Sequence, residues 1–138
     1  MRIITGSARG RRLTAPEGTD VRPTAEVTKE AVFSAIHFEV EGARMLDLFA
    51  GTGQMGLEAI SRGAKSGTFV ESGRPSLEAL RANIAACGFT EQCKVFAMDA
   101  LRFLKIGGGE YDVVGKGDEA TLEAVSYTHL TLPTILLV

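Results

Sequence analysis

Three glycines, Gly51, Gly53 and Gly56, stand at G-x-G-x-x-G spacing in "MLDLFAGTGQMGLEAI" (residues 45–60), just after an apolar run that holds one acid, Asp47. Glycines in such a turn let the backbone approach a ligand with no Cβ in the way, and they offer N–H groups at a helix start. Three ligand classes use this device. A phosphate loop needs G-x-x-x-x-G-K-[ST]. Gly51 and Gly56 fit that frame, but Leu57 and Glu58 occupy the Lys and Ser/Thr positions. The counter-charge is missing and Glu58 would repel a phosphate, so this class is rejected. A nicotinamide or flavin dinucleotide fits the glycine spacing, with Glu71 at a suitable distance for a ribose hydroxyl. Asp47 argues against it, because a carboxylate beside a pyrophosphate adds like charge.

A ligand that brings positive charge would welcome the same acid. S-adenosylmethionine carries an ammonium and a sulfonium and no phosphate. Asp47 near its methionine end, the glycines beneath it, Glu71 on the ribose and Asp99 near the adenine form one consistent set. All fall at or just beyond the ends of apolar runs, where open α/β sheets bind ligands. Each acid also has a plainer role: Asp47 as a turn cap, Glu71 as a solvated strand end, Asp99 as a helix N-cap. Taken together, the four positions favour the methyl donor over independent caps.

The elements that must hold these residues alternate. "RMLDLF" reads as a strand, "GTGQMG" as a turn and "LEAISRG" as a helix. "SGTFVES" is a second strand and "PSLEALRANIAACG" a second helix, with Pro75 in its first turn and Gly88 as its stop. "CKVFAM", "DALRFLK" and "EYDVV" supply a third strand, a short helix and a fourth strand. Such alternation implies a parallel sheet with right-handed crossovers. Ahead of it, "RIITGSARGRRL" reads as a small hairpin and "AEVTKEAVFSAIHF" as a helix capped by Thr24. The expected apolar face of that helix is Val27, Ala31, Ala35 and Phe38.

With 138 residues, 45% hydrophobic and 23% charged, the chain has the composition of one globular domain. No apolar run approaches a membrane span, and the basic start lacks the apolar stretch of a signal peptide. Cys87 and Cys93 have no Cys/His company, so reduced thiols in a cytoplasmic, metal-free protein are expected. The net charge of −2 hides an asymmetry. Residues 1–12 hold Arg2, Arg9, Arg11 and Arg12 with no acid, a pattern that fits equally a local polyanion site on an otherwise acidic body and a surface hairpin whose arginines serve only solubility.

From residue 1 to about 114 the sequence resembles the RsmD-type bacterial 16S rRNA (guanine-N2)-methyltransferases. The resemblance is carried by "MRIITGSARGRRL", "RPTAEVTKEAVFSAI", "LDLFAGTGQMGLEAISRGA", "FVE", "DAL" and "YDVV". It implies an α/β, Rossmann-like class I methyltransferase fold with a small N-terminal β-hairpin, acting on one guanine of 16S rRNA in the assembling 30S subunit as a monomer. By position, Asp47, Phe49, Gly51 and Gly53 would hold the methionine and ribose part of S-adenosylmethionine, Glu71 the ribose, and Asp99 with Ala100 the adenine. Arg9, Arg11 and Arg12 would meet RNA phosphates, with Arg22 and Thr24 near the substrate entrance. The family's Asp-Pro-Pro-Phe/Tyr, which receives the target amine, occurs nowhere in the chain. Catalytic residues are therefore unassigned and impaired transfer is expected.

Three segments are expected: a basic arm and loop (1–21), an incomplete donor-binding domain (22–114) and an atypical tail of foreign appearance (115–138). The C-terminal strands of the family are expected to be missing. Two other readings remain open, an NAD- or FAD-binding oxidoreductase half-domain and a non-enzymatic RNA-binding module.

Overall fold

The short runs at 45–48, 67–70 and 113–114 place apolar residues at adjacent positions (Met45 and Leu46, Phe69 and Val70, Val113 and Val114), which calls for a sheet covered on both faces. The computed structural model, which describes residues 1–16, 26–106, 109–115 and 135–137, has such a sheet. Its strands are β1 (Arg44–Asp47), β2 (Ser66–Val70), β3 (Cys93–Phe96), β4 (Val113–Gly115) and β5 (Ile135–Leu137). They are all parallel, in the order β3-β2-β1-β4-β5. The helices are α1 (Glu26–Ala35), α2 (His37–Val40), α3 (Gln54–Ser61), α4 (Arg74–Cys87) and α5 (Ala100–Ile106).

The period-2 side-chain alternation divides the core in two. Met45, Phe69 and Val113 pack with Phe33, Leu57, Ile60, Leu80 and Ile84 from α1, α3 and α4, and with Ile3 and Leu13 of the arm. Leu46, Val70 and Val114 point the other way, onto Ala100, Phe103 and Leu104 of α5. Right-handed crossovers require this split, because the chain moves one way from β1 to β3 and then back past β1 to β4. The reversal lies between β1 and β4. Arg44 fixes their register, since its guanidinium donates to Asp112 at 3.0 Å from Nε and 3.0 Å from Nη2.

The expected helix over 25–38 is broken at Ile36 into α1 and α2; the other sequence-based elements hold, with two further differences beyond their exact ends. The first concerns α1 and α2. Val27 is 78% exposed and Phe38 92%, and Ala31 and Ala35 face solvent too. The buried face carries Lys29, Phe33, Ile36 and Val40, with Val32 partly buried beside them. Both stripes have helical spacing, and the winning one holds the bulkier set together with a lysine that finds a buried partner. The second concerns the tail. Ile135–Leu137 pairs in parallel with Val113–Gly115 as a fifth strand, an apolar run satisfying an open sheet edge. Arg22 and Thr24, including the expected cap, lie outside the described residues.

The N-terminal arm folds back on itself. Arg2 and Arg12 form an antiparallel bridge, Ile3 N–H donates to Arg11 O at 2.9 Å, and Leu13 N–H to Met1 O at 3.0 Å. Ile3, Ala8 and Leu13 are buried under it, while Arg9, Arg11 and Arg12 remain exposed. Among the described residues, no helix is long and apolar enough to cross a membrane, and no group of acids, histidines and cysteines could hold a metal.

Candidate functional site

Asp47 is the last residue of β1, paired in register with Phe69 on one side and Gly115 on the other. It therefore sits at the point where the strand order reverses, the usual ligand crevice of an open α/β sheet. Its side chain is buried, at 5% exposure. Its carboxylate accepts a long hydrogen bond from Phe49 N–H, at 3.3 Å. Burial pushes its pKa up to about 7; the Phe49 N–H pulls it down and the nearby Glu71 charge pushes it further up. A buried carboxyl so weakly satisfied is costly to ionise, and a cation placed against it would remove that cost.

The turn that follows assigns its glycines three different tasks. Gly51 has φ 55° and a Cβ there would meet nothing within 4 Å, so its free side opens outward. Gly53, at φ 87°, starts α3, and a Cβ on it would run into Leu80 of α4. Gly56 lies inside α3, where a Cβ would strike the Phe69 ring of β2. The first glycine thus serves close approach, while the other two let helices pack on the sheet and on each other. The turn itself is closed by Gly53 N–H to Ala50 O at 2.8 Å.

Glu71 follows β2 and is half-buried. One carboxylate oxygen accepts Gly51 N–H at 2.8 Å and the other accepts Gly73 N–H at 2.7 Å. It is a latch on the glycine turn as well as an acceptor, since a carboxylate has about four lone-pair sites. Asp99 caps α5, accepting Arg102 N–H at 3.3 Å, and its side chain is exposed. Ala100 beside it is buried. Phe49, 38% exposed, forms the apolar rim next to Asp47. Parallel strands put the ends of β1, β2 and β3 at one edge, so Asp47, Phe49, Gly51, Gly53, Glu71, Asp99 and Ala100 share it. Arg9, Arg11 and Arg12 lie on the arm.

A second buried acid has a different setting. Glu58 of α3 is 0% exposed and faces away from the glycine turn, into the arm. It accepts Ile4 N–H at 2.9 Å and Thr5 N–H at 3.0 Å. It also pairs with Lys29 Nζ at 3.3 Å and Arg62 Nε at 2.9 Å. Lys29 Nζ in turn donates to Arg2 O at 2.7 Å. One turn later Ser61 Oγ accepts Ala8 N–H at 2.9 Å and donates to Thr5 O at 2.7 Å. The expectation that Glu58 would repel a phosphate in the turn is therefore corrected. Rejection of the phosphate loop rests on the buried Leu57 in the lysine position. Lys29, Glu58 and Ser61 were not identified as site residues from the sequence. The available signal was an acid within the otherwise apolar "MGLEAI".

Cys87 and Cys93 are free and half-buried. Burial raises both thiols, Cys93 to about 12, so neither is a nucleophile at neutral pH.

A parallel sheet in the order 3-2-1-4-5, with a glycine turn after its first strand and acids at successive strand ends, is the Rossmann-like arrangement that class I methyltransferases share, and the solved structures it resembles place it in that class. Residues 1–115 match the family described as conserved hypothetical protein 95, and the chain belongs to that family, the RsmD family. It is 40% identical over 104 residues to YlbH of Bacillus subtilis, covering 75% of this chain and 56% of that protein. To ribosomal RNA small subunit methyltransferase D of Escherichia coli K12 it is 35% identical over 114 residues, covering 83% and 57%. The chain thus spans little more than half the length of these relatives. A solved structure of a hypothetical protein from Thermus thermophilus superposes with a TM-score of 0.81 at 27% identity, over 99% of this chain and 84% of that one.

Proposed function

We propose that the chain carries the donor site and RNA arm of an S-adenosylmethionine-dependent methyltransferase that modifies the exocyclic N2 of a guanine in 16S rRNA. The observation that carries this reading is Asp47, a buried carboxylate at the strand-order reversal with one long N–H bond to offset its charge. When bound, S-adenosylmethionine supplies a methyl group made electrophilic by its sulfonium. The chain's own residues bind and orient. Asp47 stabilises the cationic methionine end, Gly51 leaves room beneath it, Gly53 holds the turn against α4 so that this room stays open, and Phe49 keeps water from its flank. Glu71 accepts from the ribose hydroxyls while it keeps the turn latched. Asp99 and the backbone at Ala100 accept from the adenine amine. Arg9, Arg11 and Arg12, exposed on one arm, neutralise RNA phosphates. The partner is the rRNA of the assembling 30S subunit, met by a monomer in the cytoplasm.

The amine acceptors Asp-Pro-Pro-Phe/Tyr are absent from the 138 residues, so this chain binds donor and transfers the methyl group poorly. Calorimetry against S-adenosylhomocysteine and NAD tests the donor half. Heat with the first and none with the second is expected. The reverse pattern would return the site to an oxidoreductase. Salt-sensitive RNA binding that survives Asp47→Ala, with no heat from S-adenosylhomocysteine, would leave only an RNA-binding module. A methylation assay on assembling 30S particles tests the other half, and clear guanine-N2 product from this chain would overturn the expectation of impaired transfer.

A further inference from the structure

Asn83 lies on the inner face of α4 at 1% exposure. Its Oδ1 accepts Thr14 N–H at 2.7 Å. Its Nδ2 donates to Thr14 O at 3.0 Å and to Thr52 O at 2.9 Å. Thr52 is the residue between Gly51 and Gly53 in the donor turn. Thr14 stands two residues beyond Arg12 on the arm. One buried amide therefore bridges the turn that meets the donor and the arm that carries the arginines. A weaker tie runs parallel to it, from Thr52 Oγ1 to Met1 Sδ at 3.5 Å, with Met1 O accepting Leu13 N–H at 3.0 Å.

The chemistry requires an amide. The site presents one N–H and two carbonyls, so the bridging group must accept once and donate twice from a short planar end. Aspartate would set an oxygen against the carbonyls, and leucine would leave three backbone groups without this partner, the buried Thr52 carbonyl among them. The arm is also held at its turn, by Glu58 and Ser61 acting on Ile4, Thr5 and Ala8. Those bonds come from the side of α3 that faces away from the donor turn. The Asn83 bridge differs because it grips the donor turn itself.

We propose that Asn83 is a positioning residue that couples donor binding to the placement of the RNA arm. This rests on the donor-and-RNA reading above. A donor on the turn fixes Thr52, Thr52 fixes the Asn83 amide, and the amide fixes Thr14 and the chain leading back to Arg12 and Arg11. Linkage makes the effect reciprocal: RNA on the arm raises donor affinity by the factor by which donor raises RNA affinity.

Amide hydrogen exchange on the whole chain, with and without saturating S-adenosylhomocysteine, is the test, with binding confirmed by calorimetry on the same sample. S-adenosylhomocysteine is expected to slow exchange at the Thr14 amide by about tenfold, within the usual range of coupling. The Ala8 amide, held by Ser61, is expected to change far less. Asn83→Asp keeps an acceptor for Thr14 N–H and loses the donor to Thr52; it is expected to bind the ligand without slowing Thr14. Unchanged Thr14 exchange in the liganded wild-type chain overturns the coupling, whether or not the variant folds. Persistence of the slowing in Asn83→Asp overturns it as well. Absence of any ligand heat from the wild-type chain removes the donor reading, and this inference with it.

Discussion

Asp47 and Glu58 are both buried acids, eleven positions apart, and they face opposite fates. Glu58 is surrounded by two cations and two backbone N–H groups, all at 3.3 Å or less. Asp47 has one N–H at 3.3 Å, and its carboxyl holds its proton up to about pH 7. The saturated acid is a piece of architecture that fastens the arm to α3. The underserved acid is where a ligand has something to contribute. Burial alone does not separate the two, but the number of partners does.

The strongest way to break the contrast is to remove the saturated carboxylate. Glu58→Gln leaves the fully buried Lys29 and the partly buried Arg62 without their counter-charge, and a loss of about 3–5 kcal/mol is expected. Urea denaturation measures it, and a change below about 1 kcal/mol would mean the arm is held by packing alone.

The same change at Asp47 has the opposite sign. The folded pKa, about 7, lies above the ordinary value of 3.8, so the folded chain keeps a proton that the unfolded chain has released. Stability therefore falls as pH rises through the window from about 4 to about 7 and is flat above it. Asp47→Asn escapes that loss. It is expected to match wild type near pH 4 and to exceed it at pH 8 by up to about 4 kcal/mol, with thermal melts across pH as the readout. A melting curve as pH-dependent in the variant as in wild type would contradict this. The sharper form concerns the ligand. The proposed site sets the ammonium of S-adenosylhomocysteine against an ionised Asp47, and on that proposal its affinity should rise toward pH 7 and level off above. The Asn variant should lose both the affinity and the slope.

The smallest effect comes from thinning the saturated site without touching its charges. Ser61→Ala strands the Ala8 N–H, at a cost of about 1–2 kcal/mol. Protection of the Ala8 amide should fall while ligand binding at the glycine turn is unchanged. A change in binding there would tie the arm's turn to the glycine turn, contrary to the separation drawn above.

Much of the fold was legible because its determinants are local. Strand–helix alternation, the glycine spacing and the Gly88 stop are written in adjacent residues, and the structure repeats them within a few positions. The acids at strand ends were legible too, since parallel strands must put their carboxyl ends on one edge. The face of α1 was not. Val27, Ala31, Ala35 and Phe38 form as regular a stripe as the buried one, and only the partner waiting 29 residues away decided for Lys29. The Ile135–Leu137 strand was equally hidden, because a short apolar run declares nothing until an open edge stands beside it.

The sequence by itself determined the glycine turn, the acid ahead of it and the arginines on the arm, since each is a matter of residue type at short spacing. Only the tertiary structure decided which buried acid was left short of partners and which was saturated. It also decided that one asparagine would join the turn to the arm. Those outcomes depend chiefly on groups brought together from 29 to 69 positions apart, and pairing over such separations leaves no periodic trace in the chain.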